Sequence, residues 1–125
     1  MREKMFSILI ADDDEYIGKL LGKMLRKEGY EVEAVESGNE AIEEVSRKRF
    51  DALLLDIYME GINGIDAIPL IKKIDSKIPI IIITADHSVS TEQRTRKEDI
   101  FHYLLKPLEF EELKKVIKSA LSRKK

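Results

Sequence analysis

Short apolar runs alternate with amphipathic stretches along this chain. Residues 6–11 (FSILIA) form a compact apolar run that stops at three consecutive aspartates. Over residues 16–28, Ile17, Leu20, Leu21, Met24 and Leu25 recur at helical spacing, and Gly29 reads as the stop. Glu31–Val35 alternates apolar and acidic residues, the pattern of a half-buried strand. Ser37 followed by Glu40 is a capping-box pair and predicts a helix to about Arg47. Residues 52–55 (ALLL) read as a buried strand that again ends at an aspartate. Residues 64–74 have helical periodicity. Pro69 counts against an unbroken helix there, because a mid-helix proline removes one hydrogen bond and favours a kink. Residues 78–83 (IPIIII) are the most apolar run and end at Thr84; residues 101–105 end at Lys106-Pro107. Residues 109–122 close the pattern as a helix with Phe110, Leu113, Val116, Ile117, Ala120 and Leu121 on one side.

Strands that alternate with helices point to parallel βαβ units. Runs such as LIA, ALLL and IPIIII are apolar on both faces, which suits strands covered on both sides. The expected architecture is one α/β domain over residues 1–125, a doubly wound sheet of five parallel strands with helices on both faces. Residues 86–99 break the rhythm. They should carry the fourth helix, yet Val89 is their only strongly apolar residue. A helix draws most of its stability from a buried apolar stripe, so this element is expected to be short, mobile or ordered only on a partner.

Composition narrows the function. Acids outnumber bases 24 to 22, leaving a net charge of -2, which argues against a general nucleic-acid binder. The absence of cysteine excludes a disulfide framework, a thiolate metal site and a cysteine nucleophile. No apolar stretch has the length of a signal peptide or a membrane span, so a soluble, cytoplasmic protein without membrane contact is expected. Met1 and Met5 leave two starts open.

In an open parallel sheet, ligands sit beyond the carboxyl ends of the strands. Here the first strand delivers Asp12, Asp13 and Asp14, the third Asp56, the fourth Thr84 and the fifth Lys106. Each alone has a bland explanation: a solvated acidic turn, a helix cap, a strand-end hydroxyl bonding backbone, a common Lys-Pro pair. Together they place carboxylates, a hydroxyl and an ammonium at one edge. Clustered carboxylates repel one another unless a cation neutralises them, and hard oxygen ligands suit Mg²⁺. A carboxylate can attack phosphorus to give an aspartyl phosphate. Phosphoryl transfer then needs its equatorial oxygens neutralised. Asp56, alone on a central strand, is the better nucleophile; the adjacent Asp12 and Asp13 are better metal ligands.

The segments ILIADDD, LLLDIYMEGINGID, IIIITA and YLLKPL resemble, in order and spacing over nearly the whole chain, the signatures of the response regulator receiver domain of two-component signalling. The resemblance implies the flavodoxin-like fold of the chemotaxis response regulator, with sheet order 2-1-3-4-5 and five helices. It implies Asp56 as phosphoacceptor, with Mg²⁺ held by Asp12, Asp13, Asp56 and the backbone carbonyl of Tyr58. Thr84 matches the switch hydroxyl, Lys106 the lysine that pairs with the phosphoryl group, and Pro107 the residue after a cis peptide bond. Tyr103 matches the aromatic switch residue that turns inward when Thr84 moves. Tyr58 and Asp86 stand where the family tunes phosphate hydrolysis, and Tyr58 is expected to slow it.

The implied donor is a sensor histidine kinase or phosphotransfer protein. The implied readout is an effector at the fourth helix, fifth strand and fifth helix, and a phosphorylation-dependent dimer is compatible with it. No direct contact with nucleic acid is expected. Two departures stand out: Glu60 replaces a frequent proline, and Asp99-Ile100 replaces a small Gly-Ala pair, which puts the usual shape of the fourth helix in question. His87 and His102 read as surface residues. Lys114, Lys115, Lys118, Arg123, Lys124 and Lys125 read as solvated charges suited to the negative end of a helix dipole. Two rival functions exist. An aspartate-nucleophile phosphatase usually carries a second carboxylate where Tyr58 stands. A phosphorylation-independent scaffold would have no need of Asp12, Asp13, Asp56, Thr84 and Lys106 together.

Overall fold

The computed structural model describes residues 5–122; Met1, Arg123, Lys124 and Lys125, named above, lie outside them. Strands β1 (Ser7–Ala11), β2 (Glu31–Val35), β3 (Ala52–Asp56), β4 (Ile80–Thr84) and β5 (His102–Leu105) alternate with helices α1 (Glu15–Lys27), α2 (Gly38–Arg47), α3 (Gly64–Ile74), α4 (Val89–Arg96) and α5 (Phe110–Ser122). All strand pairs are parallel, in the order β2-β1-β3-β4-β5. This is the doubly wound α/β sheet expected from the sequence. Successive side chains of a strand point to opposite faces, so each apolar run feeds two cores. On one face Leu9, Leu53, Leu55, Ile80 and Ile82 pack with Ala41 and Val45 of α2 and with Ile65, Ile68 and Ile71 of α3. On the other, Ile8, Ile10, Leu54, Ile81 and Ile83 pack with Leu21 and Leu25 of α1 and with Leu113, Ile117 and Leu121 of α5. Burying a large aliphatic side chain contributes about 1.5–3 kcal/mol, which makes this two-sided core the main source of stability. Among the described residues, no helix is long and apolar enough to cross a membrane.

Local signals explain the element ends. Gly29 follows α1 with φ of 96°, a conformation that glycine adopts without strain. Ser37 caps α2 and its oxygen accepts from the Glu40 N–H at 3.1 Å, while the Glu40 carboxylate reaches back to the Glu36 N–H at 2.9 Å. Asn63 caps α3 by accepting from the Asp66 N–H at 2.9 Å. Pro69 does not end α3. It sits on the exposed side, and the buried stripe of Ile65, Ile68 and Ile71 keeps the helix on the sheet. The apolar stripe of α1 is narrower than its periodicity suggests: Leu21 and Leu25 are buried, whereas Leu20 is exposed.

Helix α4 is short, at eight residues, one of the outcomes its composition predicted. Its anchorage differs from what an apolar count would find. Val89 is 68% exposed, and the buried residues are Thr91 and Thr95. The Thr95 hydroxyl donates to the Thr91 carbonyl at 2.7 Å, so its polar atom is satisfied while the residue is fully buried. Counting threonine as polar concealed this buried face.

The start of α3 is pressed against the end of β3. The Gly64 N–H donates to the Ile57 carbonyl at 2.7 Å, and a Cβ on Gly64 would lie 2.3 Å from the Asp56 carbonyl oxygen and 2.9 Å from the Ile57 Cα. Both obstacles are backbone and cannot rotate away. Gly64→Ala is therefore expected to destabilise the fold by about 1–3 kcal/mol, measured by urea unfolding. An unchanged midpoint would show that the loop relaxes freely.

Candidate functional site

The edge formed by the carboxyl ends of β1, β3, β4 and β5 gathers most of the chemistry in the described chain. The aspartate triplet after β1 divides its labour. Asp14 caps α1, its Oδ1 accepting from the Tyr16 N–H at 3.0 Å. Asp13 is exposed. Asp12 is 1% exposed and turns into the protein, with its Oδ1 accepting from the Asp14 N–H at 2.9 Å. Asp56, at the end of the fully buried β3, is 5% exposed. One carboxylate oxygen from each of Asp12, Asp13 and Asp56 lies within 4.8 Å of the others.

Lys106 reaches this cluster from β5. Its Nζ is 2.8 Å from Asp12 Oδ2 and 3.5 Å from Asp56 Oδ2. The lysine backbone is tied down on both sides: its N–H donates to the Thr84 carbonyl at 2.7 Å, and its own carbonyl accepts from His87 Nε2 at 2.9 Å, which assigns the ring proton to Nε2. The Lys106–Pro107 peptide bond is cis.

The two buried carboxylates, Asp12 and Asp56, share the Lys106 ammonium, and Asp13 adds a third carboxylate from the exposed side. Burial, reinforced by the negative charge of Asp12, raises the pKa of Asp56 to about 6; Lys106 pulls the other way without prevailing. Burial opposes the charge on Lys106 as well, but the Asp12 and Asp56 carboxylates outweigh it and hold the lysine above its ordinary range. Asp12 Oδ2 remains buried with no aligned hydrogen bond despite its ion pair. A surplus of buried negative charge, an all-oxygen donor set and an unsatisfied carboxylate oxygen fit a hard divalent cation such as Mg²⁺.

Thr84 and the loop after it stand on the adjoining rim. Thr84 is fully buried, and its Oγ1 accepts from the Asp86 N–H at 3.1 Å. The Tyr58 ring is 53% exposed, and its hydroxyl donates to Asp86 Oδ2 at 2.6 Å. The Thr91 hydroxyl donates to that same oxygen at 2.6 Å, and the Ser88 N–H donates to Oδ1 at 2.9 Å. These bonds, that from Thr91 foremost, hold the Asp86 carboxyl well below the usual carboxylate range. Tyr103 lies on β5, away from the carboxylates. Its ring is 6% exposed and already turned in, its hydroxyl is buried without a hydrogen bond, and the Arg96 guanidinium stands 5.4 Å from the ring centre.

The structure thus brings Asp12, Asp13, Asp56 and Lys106 into one cluster, with Thr84, Tyr58 and Asp86 along its rim. Three participants escaped sequence reasoning. Thr91 is polar by type, and neither its burial nor its bond to Asp86 has a local signal in the sequence. His87 is exposed, in agreement with its reading as a surface residue, but nothing local in the sequence signals its bond to the Lys106 carbonyl. Gly64 had a signal, a glycine opening a helix just after the Asp56 strand, but its reason is a tertiary contact.

Comparisons with known proteins give the family and agree with the fold. The sequence profile described as "Response regulator receiver domain" matches residues 8–118. The chain is 37% identical over 122 residues to the transcriptional regulatory protein ZraR of Klebsiella oxytoca, covering 98% of this chain and 28% of that protein. It is 32% identical to the transcriptional regulatory protein GlrR of Escherichia coli, with the same coverage. The chain thus spans little more than a quarter of these relatives' length. A response regulator receiver domain protein from Methanospirillum hungatei superposes with a TM-score of 0.92 at 26% identity, covering 96% of both chains. The response regulator protein TrrA of Thermotoga maritima, solved in complex with Mg²⁺-BeF, superposes with a TM-score of 0.84 at 34% identity, covering 94% of this chain and all of that one.

A carboxylate whose pKa is raised on folding favours the fold below its unfolded value and opposes it once the pH passes its folded value. For Asp56 that window runs from its ordinary 3.8 to about 6. Above it, Asp56→Asn is expected to stabilise the protein in EDTA by about 1–2 kcal/mol, with the gain fading as the pH falls through the window. Thermal unfolding at pH 7.5 and pH 4 checks this; a destabilised variant at pH 7.5 would refute it.

Proposed function

The chain belongs to the response regulator receiver domain family of two-component signalling, and from that premise we propose that it is a switch phosphorylated on Asp56. The observation that carries the proposal is the cluster of Asp12, Asp13 and Asp56 around Lys106 at the carboxyl edge of the sheet. In this reading residues 1–125 act as one receiver domain, and the donor is the phosphohistidine of a sensor kinase or phosphotransfer protein. A carboxylate oxygen of Asp56 attacks phosphorus; the phosphorus–nitrogen bond breaks, and its electron pair leaves with the imidazole. Lys106 is placed to neutralise a phosphoryl oxygen once its pairing with Asp56 is shared with the new group. Thr84 can donate its hydroxyl proton to another oxygen by turning from the Asp86 N–H. Asp12, Asp13, Asp56 and the Tyr58 carbonyl would hold Mg²⁺, which when bound neutralises the clustered carboxylates and the incoming phosphoryl charge. The complex of TrrA with Mg²⁺-BeF supports this assignment by analogy.

The added charge then shifts a pre-existing equilibrium of Thr84, Lys106 and the β5 face with Tyr103, which an effector reads. The domain assists its own phosphorylation and dephosphorylation but does not turn over a metabolite. Tyr58 and Asp86 tune the lifetime of the phosphoryl group, Tyr58 by keeping its ring between the site and water.

Acetyl phosphate with Mg²⁺ is expected to add one phosphoryl group by intact mass, and the gain should vanish with EDTA or in Asp56→Asn. A folded protein that gains nothing, or an Asp56→Asn variant that still labels, would reject the assignment. Tyr58→Ala is expected to speed loss of the phosphoryl group several-fold; an unchanged rate would remove Tyr58 from this role.

A further inference from the structure

Asp86 ties together the end of β4, the first turn of α4 and the distant segment that follows β3. Its backbone N–H holds the Thr84 hydroxyl at the end of β4. Its Oδ2 accepts from Tyr58, which follows β3, and from Thr91, in the first turn of α4. The Tyr58 hydroxyl is also 3.4 Å from Thr91 Oγ1. Ser88, the cap of α4, donates its hydroxyl to Thr91 at 3.0 Å, so a chain of donors runs from the helix cap into this one carboxylate. Helix α4 has little else to hold it. Among its residues only Thr91 and Thr95 are buried, and Val89, Ser90, Gln93, Arg94 and Arg96 are exposed. Thr95 and Arg96, over the Tyr103 ring, hold its last turn, and its first turn is held through Thr91 to Asp86, where a hydrogen bond to a charged group outweighs an ordinary one.

We propose that Thr91 and Asp86 form a joint that couples the position of α4 to that of the Tyr58 ring, with Thr91 as a positioning residue for the phosphorylation site. Displacing α4 removes the Thr91 donor from Asp86 and loosens the hold on Tyr58; withdrawing Tyr58 loosens α4. Coupling of this kind is reciprocal. A partner that draws α4 away would therefore change how long the phosphoryl group survives. That last consequence rests on the reading of Tyr58 as a tuner of hydrolysis, whereas the joint itself does not.

The test begins with the unphosphorylated protein in EDTA, by amide hydrogen exchange and the Tyr58 ring resonances. Tyr58→Phe removes one hydroxyl, far in sequence from α4, and is expected to raise exchange across α4 about 2- to 10-fold, leaving α1 and α5 unchanged. Thr91→Val, which keeps the side-chain volume, is expected to shift the Tyr58 resonances, and Thr91→Ser, which keeps the hydroxyl, is expected to restore them. If α4 exchange ignores Tyr58→Phe, or the ring resonances ignore Thr91→Val, the joint does not exist. The second stage measures phosphoryl lifetime after acetyl phosphate labelling. Thr91→Val is expected to change it in the same direction as Tyr58→Phe, with no further change in the double variant. Should exchange respond while both lifetimes stay at the wild-type value, the joint stands and Tyr58's control of hydrolysis is the part that fails.

Discussion

Like charges crowd together at the carboxyl edge of this sheet, and the rest of the site answers to that crowding. Asp12 and Asp56 are buried within reach of each other, Asp13 joins them from the solvent side, and Lys106 is the ammonium set between the buried pair. In water such a group would spread apart. Here the strands forbid it, because Asp12 and Asp56 are fixed to the ends of neighbouring β1 and β3, whose register is locked by cores on both faces. The result is a pocket that carries more buried carboxylate than its one lysine balances, and this surplus is what the proposed Mg²⁺ and phosphoryl chemistry would draw on. The raised pKa of Asp56 and the unsatisfied Asp12 oxygen express the same imbalance.

Position matters as much as charge. Asp56 sits at the end of a strand buried along its whole length, and Gly64 lets α3 close directly over its backbone. Lys106 is held by the Thr84 carbonyl on one side and by His87 on the other. Rigid supports of this kind fix the carboxylate and ammonium relative to each other, which the proposed phosphoryl transfer would require, since misplacement by an ångström costs rate steeply. The rim is made differently. Tyr58, Asp86, Ser88 and Thr91 are joined by hydrogen bonds near the surface, with only Thr91 buried, unlike the two-sided core beneath. A rigid carboxylate beside a hydrogen-bonded rim is compatible with the proposed switch.

Much of this was legible in the sequence for physical reasons. Apolar runs ending in Asp12, Asp56, Thr84 and Lys106 can converge only if the strands are parallel and adjacent, and the runs themselves demanded cover on both faces. Ser37, Glu40 and Gly29 announced the helix ends through local bonding that any context would preserve. What escaped depended on distant partners. Whether α3 tolerates Pro69 depends on the stripe it packs against the sheet. The face that anchors α4 is made of threonines, whose methyls bury as readily as their hydroxyls bond, so a hydrophobicity count passes over it. Tyr103 could be matched to an aromatic switch by resemblance, but its position, already inside with Arg96 over it, is a tertiary fact.

Asp12, Asp13 and Asp56 are proposed to hold Mg²⁺, and direct Mg²⁺ titration tests this most simply. Calorimetry and amide chemical shifts would follow binding to the unphosphorylated protein at pH 7.5 and at pH 5. The account predicts saturable binding of one ion at pH 7.5, with shifts centred on Asp12, Asp13, Asp56 and Tyr58. It predicts much weaker binding at pH 5, where Asp56, with its pKa near 6, is largely protonated. Absence of saturable binding at millimolar Mg²⁺, or binding equally tight at both pH values with shifts elsewhere, would contradict it.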